Sequence, residues 1–502
     1  MSRPIARNVR GFRDLFASDL LLKQGMIDRI RRVYESHGFI PLETPAVEFV
    51  DVLGKFLPEA HTPEGGIFSF ANRDLGPRAD PQNPDYWTSL RYDLTAPLAR
   101  VVAQYPELPR PFRRYQIGPV WRYEKPGPGR FREFFQFDFD SVGVPSVAAD
   151  AEVCAIMCDV FEALGFAAGD YIVKVNNRKI MQGVLEACEL PSTDVTDESS
   201  SAAAILRSID KLDRLGIGGV RQLLGSGRKD ETGDFTKGAG LSDKQIALVD
   251  RYLAAQVADR REACDVLEGL VGQTPSGAQG VKELRTIDAI LRSQGIGGDR
   301  VVFDPTIIRG LSYYTGPVFE GQLKVKIKDE EGVERQFGTV FGGGRYDDLV
   351  ERFTGKKVPA TGASVGVDRL LEAMKLLASA DRPRCTSQVL VTVMDQARLP
   401  DYFEMARAVR KRGYGVEVYL GAGRLGQQLK YADNLGIALA VIAGEDEFAR
   451  GEVQIKDLRA GALLAEKIED RQQWKEHAAQ QSVKIAGLPD AVERLMEAQH
   501  GK

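Results

Sequence analysis

The chain has 502 residues, several domains' worth at roughly 150 residues per domain, which excludes a single-core reading. Hydrophobic residues at 43% and charged residues at 27% exclude a disordered, collagenous or coiled-coil chain, and no apolar run approaches the roughly 20 residues that a bilayer-crossing helix needs. A net charge of -4 excludes a uniformly basic coat for nucleic acid, so any polyanion site must be a local patch.

Five cysteines in so long a chain argue against a disulfide framework and for a reducing, cytoplasmic setting. Cys154 and Cys158 stand four apart in an apolar helical stretch and read as core. His37, His61, His477 and His500 lack the spacing of a zinc site or a metalloprotease helix. No metal-ligating set and no histidine base are expected. The N-terminus carries Arg3, Arg7, Arg10 and Arg13 before its first acid, Asp14, but no apolar secretory segment follows.

In chain order, Leu22, Met26, Ile30, Val33 and Tyr34 recur at helical spacing and predict an amphipathic helix over 18–37, with Ser18 as its cap and Gly38 past its end. Phe39 to Glu43 reads as extended, and Pro45 marks a break or an edge. Two extended runs, 112–125 and 130–140, flank Pro126-Gly-Pro-Gly129 and predict an antiparallel hairpin. Alternation puts Arg122, Glu124, Arg130, Arg132, Phe134, Gln136, Asp138 and Asp140 on one face and Trp121, Tyr123, Phe131, Phe135, Phe137 and Phe139 on the other. One face suits a site and the other a core. Helical segments separated by loops fill 166–300 and predict an insertion. Extended sequence resumes at 301–325, Gly342-Gly-Gly344 is expected to open a helix, and Gly362 to Arg369 reads as a strand entering a helix. After a polar linker near 380–387, strands at 389–393, 416–420, 438–443 and 453–458 alternate with helices, predicting a small α/β domain with a largely parallel sheet.

Four constellations carry chemistry. Between Arg110 and Arg132 stand seven basic residues and one acid, a +6 window that suits polyphosphate or nucleic acid; an aromatic ring among guanidiniums could stack a base while they hold phosphates. In Leu90-Arg-Tyr-Asp-Leu-Thr-Ala96, Asp93 and Thr95 point the same way on an extended chain and could jointly hold an ammonium. In Arg309-Gly-Leu-Ser-Tyr-Tyr-Thr-Gly316, glycines bracket an arginine and paired tyrosines, as close backbone approach to a ligand requires. Gly362-Ala-Ser-Val-Gly-Val-Asp-Arg369 places an arginine near a helix start without the P-loop string.

Taken in order, these segments resemble the signatures of class II aminoacyl-tRNA synthetases, and specifically the histidyl-tRNA synthetase family. The unit ending at Pro45 is similar to the class's dimer-interface motif, Trp121-Arg-Tyr-Glu124 with the following strand to its second motif, and Gly362 to Arg369 to its third. Arg309 to Gly316, the LRYDLTAP segment, Lys430 to Gly436 and Gly444 to Glu447 carry the likeness to the histidine enzymes. The resemblance implies activation of L-histidine with ATP to histidyl-adenylate and transfer to histidine tRNA. It assigns Arg122, Arg309 and Arg369 to catalysis; Arg122, Glu124, Arg130, Phe134 and Arg369 to ATP; and Asp93, Thr95, Arg122, Gln136, Asp140, Arg309, Tyr313 and Tyr314 to histidine. Arg309 would be a fixed cation beside the α-phosphate, and magnesium would enter with ATP. A cytoplasmic homodimer without membrane attachment is implied.

The expected fold is an α+β catalytic core with a mixed, mainly antiparallel sheet at 1–165 and 301–380, a helix-rich insertion domain at 166–300, an anticodon-binding-like α/β domain at 388–470, and a tail at 471–502. Three departures from the family pattern stand out. Ser312 replaces the signature aspartate, Asp368 the usual glutamate, and the loop Lys125 to Gly129 differs from the bacterial loop that reads the tRNA acceptor end. That last change implies altered recognition of the extra 5' guanosine of histidine tRNAs. The alternative reading is a non-catalytic, histidine-binding regulatory subunit of ATP phosphoribosyltransferase, which lacks the C-terminal domain.

Overall fold

The computed structural model describes every residue except 1–2, 4, 54–65, 128–129, 191–199, 230–232, 309–313, 329–333, 378–383, 460–479 and 501–502. Contacts divide the chain into two units, residues 1–14 with 25–377 and residues 15–24 with 378–502. Eighteen strands, numbered in chain order, occur among the described residues. Eight form the main sheet in the order β1 (Ile40–Pro41), β5 (Phe112–Trp121), β6 (Glu133–Val142), β13 (Ala360–Gly366), β12 (Glu334–Arg345), β11 (Pro317–Lys328), β7 (Tyr171–Asn177) and β10 (Val301–Phe303). The sheet is mixed and mainly antiparallel, as expected: only the outer pairs β1/β5 and β7/β10 are parallel. β2 (Val47–Phe49), β3 (Ser69–Ala71) and β4 (Trp87–Leu90) make a three-stranded sheet, and β8 (Gly227–Lys229) pairs with β9 (Phe235–Lys237). In the second unit β14 (Val389–Val391), β15 (Val416–Val418), β16 (Leu439–Ile442), β17 (Glu452–Asp457) and β18 (Gln480–Lys484) form a five-stranded sheet.

The hairpin forms as its alternation requires. Phe137 and Phe139 of β6 are fully buried against Tyr34 of the helix Ala17–Ser36, with ring centroids 4.9 and 4.7 Å apart. Such aromatic contacts hold one face of the sheet to its helix. The first strand ends earlier than expected, at Trp121; Arg122 still donates its N–H to the Arg132 carbonyl at 2.9 Å, and Tyr123 to Pro126 leave the ladder for the turn. The glycine run 342–344 does not open a helix. It lies inside β12, where a Cβ on Gly343 would sit 2.3 Å from the Gly362 carbonyl and one on Gly344 would sit 2.6 Å from the Tyr314 ring. Close approach to neighbouring strands and rings, rather than helix entry, demands glycine there.

Two expected boundaries fall elsewhere. β7, within the stretch 166–300, is an integral strand of the main sheet, hydrogen-bonded between β11 and β10. Its run Tyr171-Ile-Val-Lys-Val is buried on both faces, so it lacks the alternation that marks a half-buried strand. The helices that follow are tied to this sheet by Arg260, 1% exposed, whose guanidinium meets Asp288 at 2.7 Å and the carbonyls of Ile296, Gly297 and Val301. Beyond 470, residues expected as a tail supply β18 and the helix Leu488–His500. Leu488, Ala491, Val492 and Met496 join the core of Val389, Val391, Leu439, Val441 and Val453. This sheet is parallel where β14 meets β15 and β16 and antiparallel at β16/β17 and β17/β18, so the largely parallel expectation holds only for its first half. No described helix is long and apolar enough to cross a membrane.

The +6 window does not act as one surface. Arg113 is paired with Glu152 at 2.7 Å, and Arg114 is 0% exposed beside Asp140. Beside Arg113, His37 places Nε2 2.8 Å from Asp159 and Nδ1 3.6 Å from Glu152. Hydrogen bonds that it donates to Asp159 first and Glu152 second push its imidazole up to about 9, against the effect of burial.

Two predictions follow from this packing. Arg260→Leu takes the buried cation from Asp288, leaving it the part-exposed Arg292 at 2.8 Å, and strips the carbonyls of Ile296, Gly297 and Val301 of their donor, a change that costs about 3 kcal/mol; chemical unfolding should show an earlier transition of that size, and an unchanged midpoint would refute the role. Because the folded-state pKa of His37 is raised, its stabilising charge is fully present below its ordinary value and is lost as pH rises toward about 9. The melting temperature should therefore fall across that window, and His37→Gln should flatten the fall.

Candidate active site

The site is built on the even-numbered face of β6 and its two neighbours. Register sets Arg114 opposite Asp140 and Gln116 opposite Asp138 on β5, and Gly362 opposite Asp140, Ser364 opposite Asp138 and Gly366 opposite Gln136 on β13. Side chains at alternate positions share a face, so Gln136, Asp138 and Asp140 stand in one row. Glycines clear the space beside them. A Cβ on Gly362 would lie 2.2 Å from Asp140 Oδ1, and one on Gly118 would lie 2.2 Å from Arg91 Nη2.

Asp138 and Asp140 are 2% and 3% exposed. Arg114 is the cation between them, 2.8 Å from Asp140 Oδ2, and it also donates to the Leu94 carbonyl. Tyr346, itself buried, donates its hydroxyl to Asp140 Oδ1. Burial pushes Asp138 up to about 7, with Asp140 adding to the rise and Arg114 and a Ser364 hydrogen bond opposing it. Burial also raises Asp140, opposed by Arg114 and by the Tyr346 hydrogen bond. Two carboxylates sharing one cation in a dry place cannot both be freely ionised.

Asp93 faces this floor from the loop before the helix Thr95–Gln104. The expectation of an extended Asp93 and Thr95 is corrected: Asp93 Oδ1 accepts the backbone N–H groups of Thr95 and Ala96 and closes the first helical turn. An aspartate satisfies orphan helix-start donors better than an extended chain would. Burial raises its pKa, while the Ala96 N–H, Arg122 and the Thr95 N–H oppose the rise. Tyr314 is raised by burial and by the fields of Asp140, Asp138 and Asp93. Asp93, Asp138, Asp140, Arg114, Arg122 and Tyr314 thus lie within one electrostatic neighbourhood.

At the mouth, Arg122 lies over two rings, 4.3 Å from the Tyr92 centroid and 5.1 Å from that of Phe134, and donates to the Tyr92 carbonyl. Such cation–ring contacts preset a guanidinium without neutralising it. Gln136 donates from Nε2 to Ser364 Oγ at 2.9 Å. Arg369, the third residue of the helix Val367–Leu377, donates to the Thr339 carbonyl at 2.7 Å. Glu124 and Arg130 are exposed at the turn. Arg309, Ser312 and Tyr313 lie outside the described residues, as do Pro128 and Gly129.

Sequence reasoning placed Asp138 on the right face but gave it no part, and it missed Tyr346, Ser364 and Arg114 as members of the site. The two-residue alternation Gln136, Asp138, Asp140 was signal enough for Asp138. Tyr346 was hidden because the glycine run before it read as a helix start.

A histidyl-tRNA synthetase family model matches residues 11–370, and an anticodon binding domain model matches residues 388–494. The chain is 51% identical over 497 residues to a histidine–tRNA ligase of Cereibacter sphaeroides and 50% identical over 497 residues to one of Dinoroseobacter shibae, covering 98% of this chain and of each relative. A crystal structure of histidyl-tRNA synthetase from Nostoc sp. PCC 7120 superimposes with a TM-score of 0.75 at 29% identity, covering 98% of this chain and 100% of that one. With the sheet, its acidic floor and near-full-length identity in agreement, the chain belongs to the histidyl-tRNA synthetase family.

Proposed function

We propose that this site joins L-histidine to ATP, forming histidyl-adenylate, and then transfers the histidyl group to the terminal adenosine of histidine tRNA. The observation that carries the reading is charge zoning: Asp93, Asp138 and Asp140 lie on the buried floor, while Arg122 is held over two rings at the mouth. The floor suits a cationic amino acid and the mouth suits phosphates. Identity with histidine–tRNA ligases supports the same activity.

In this reading Asp93, Thr95, Gln136 and Asp140 hold the amino acid, with Arg122 and Arg309 at its carboxylate and Tyr313 and Tyr314 around its imidazole. Phe134 stacks the adenine, Glu124 meets its exocyclic end, and Arg130 and Arg369 take the outer phosphates. A histidine carboxylate oxygen attacks the α-phosphorus and pyrophosphate leaves; a ribose hydroxyl of the terminal adenosine then attacks the acyl carbon and AMP leaves. Preorganised guanidiniums at Arg122, Arg309 and Arg369 stabilise the negative charge that develops at phosphorus without a protein base. The floor carboxylates are engaged by Arg114, Tyr346, Ser364 and backbone N–H groups, which leaves magnesium to enter on the phosphates of ATP.

The core would be residues 1–165 and 301–380 with β7 added, the helices up to 300 an insertion, and the segment from 388 to the helix Leu488–His500 the anticodon-binding domain. A cytoplasmic homodimer completes the proposal. Ile40, Val47, Phe49 and Phe70 are 52%, 42%, 40% and 46% exposed, and β1 is an open edge of the main sheet; apolar side chains beside an open edge suit a second copy. The regulatory-subunit alternative gains nothing, since an anticodon binding domain model matches 388–494.

Histidine-dependent exchange of pyrophosphate into ATP tests the reading. Phe134→Ala should raise the KM for ATP about tenfold, the effect of losing one base–ring stack. Arg122→Ala should lower the exchange rate by about 10²–10³. Exchange that needs no histidine, or that survives Arg122→Ala, would overturn it. For the turn, charging of transcripts with and without the extra 5' guanosine should differ little; a large loss on removing that base would refute altered recognition.

A further inference from the structure

Asp138 lends its charge to the floor but touches no reactant in the proposed reaction, yet it is buried and its Oδ1 has no hydrogen-bond partner. It sits across from Ser364 on β13 and Gln116 on β5. Ser364 links it to a residue that the proposed reaction does use: Ser364 stands across the ladder from Asp138, where its hydroxyl offsets the burial of that carboxyl, and it accepts from Gln136 Nε2 at 2.9 Å. The far end of that amide, Gln136 Oε1, is buried and unpartnered.

With Asp138 ionised, hydrogen-bond polarity in this chain has one consistent solution. A serine hydroxyl has a single hydrogen, and a carboxylate only accepts. If Ser364 gives its hydrogen to Asp138, its oxygen is free to accept and must face the Gln136 amide nitrogen. The Gln136 carbonyl oxygen then turns the other way. Reversing the amide would claim the serine hydrogen for Oε1, strip Asp138 of its donor, and present N–H groups to any cation in the pocket. The amide orientation of a glutamine is assigned through such a network.

We infer that Asp138 is a positioning residue: through the Ser364 hydroxyl it sets the Gln136 amide so that its carbonyl oxygen accepts from the α-ammonium of the bound amino acid. Other groups facing Asp138 do not replace this link. Arg114 and Asp140 belong to the neighbouring ion pair, Gln116 donates to Thr44, Tyr34 bonds the Phe137 carbonyl, and Arg91 bonds carbonyls at Thr44 and Pro119. The inference rests on the proposed role of Gln136 in holding the ammonium.

The experiment is pyrophosphate exchange at pH 8, on the alkaline side of the raised Asp138 carboxyl, with 3-(imidazol-4-yl)propanoate as a competitive probe that has the ring and carboxylate but no ammonium. Ser364→Ala and Asp138→Ala should each raise the KM for histidine about tenfold, the effect of losing one well-placed hydrogen bond. The KM for ATP and the inhibition constant of the probe should stay within about twofold, because neither involves the ammonium. The double variant should be no worse than either single one, since both break one chain. Asp138→Asn keeps an acceptor toward Ser364 and should restore most of the affinity. An unchanged histidine KM in Ser364→Ala would overturn the relay, as would equal losses for histidine, ATP and the probe. If Gln136→Ala also leaves histidine binding unchanged, the role of Gln136 itself fails; if Gln136→Ala weakens it while Ser364→Ala does not, only the relay fails.

Discussion

The site depends on one constraint: three polar side chains, Gln136, Asp138 and Asp140, occupy successive even positions of a strand buried in the middle of a sheet. Uncompensated charge there would be costly, so its neighbours are committed. Arg114 must stand opposite Asp140, Ser364 opposite Asp138, and glycine opposite both Asp140 and Gln136. Replacing Arg114 with an apolar residue would leave two raised carboxylates facing each other, and placing any side chain at 362 would drive a Cβ into Asp140. The neighbouring strands keep their places because the floor needs their residues.

That commitment also sorts the cations. Of the arginines that crowd the hairpin in sequence, Arg113 and Arg114 are taken by Glu152 and Asp140, and Arg132 by the backbone carbonyls of Glu124 and Arg10. Arg122 is held by rings and a carbonyl instead of an acid, which keeps its charge available. A cluster that looks uniform along the chain is thereby divided into structural charges below and a reactive one above. The division is what a reaction between an ammonium-bearing acid and a polyphosphate requires: opposite fields a few ångströms apart, each preorganised.

Much of this was legible in sequence because strands alternate and because Gly/Pro punctuation is strong. The hairpin, the buried aromatic face with Phe137 and Phe139, and the strand–helix passage ending at Arg369 all follow from local pattern. What was not legible depended on long-range pairing. Arg114 and Arg122 are the same residue type eight positions apart; only the partner across the sheet makes one a counter-ion and the other a phosphate candidate. Gly342 to Gly344 read as a helix start because the strand that crowds them, β13, lies some 20 residues away in sequence. β7 and β18 were hidden for opposite reasons: the first is apolar without alternation, and the second, Gln-Gln-Ser-Val-Lys, has almost no apolar pattern of its own and borrows its order from β17.

The aspartate at 368, where the family pattern has glutamate, shows how a departure can be absorbed. Its Oδ1 meets Arg13 at 2.5 Å and its Oδ2 accepts the Phe135 N–H at 2.6 Å. Both contacts are short, and a longer side chain would have to fold back to make them. Arg13 in turn reaches Glu372 and lies 3.7 Å over the Phe131 ring, while Gly11 admits the Arg132 side chain where a Cβ would clash at 2.8 Å. The N-terminal Gly11-Phe-Arg-Asp14 segment is therefore a strap across the base of the hairpin, and Asp368 is its buckle. Phe135 follows Phe134, and Arg369 follows Asp368, so one short carboxylate couples the ring proposed to stack the base to the guanidinium proposed to hold the phosphates. A change at this position then bears on the relative placement of those two side chains.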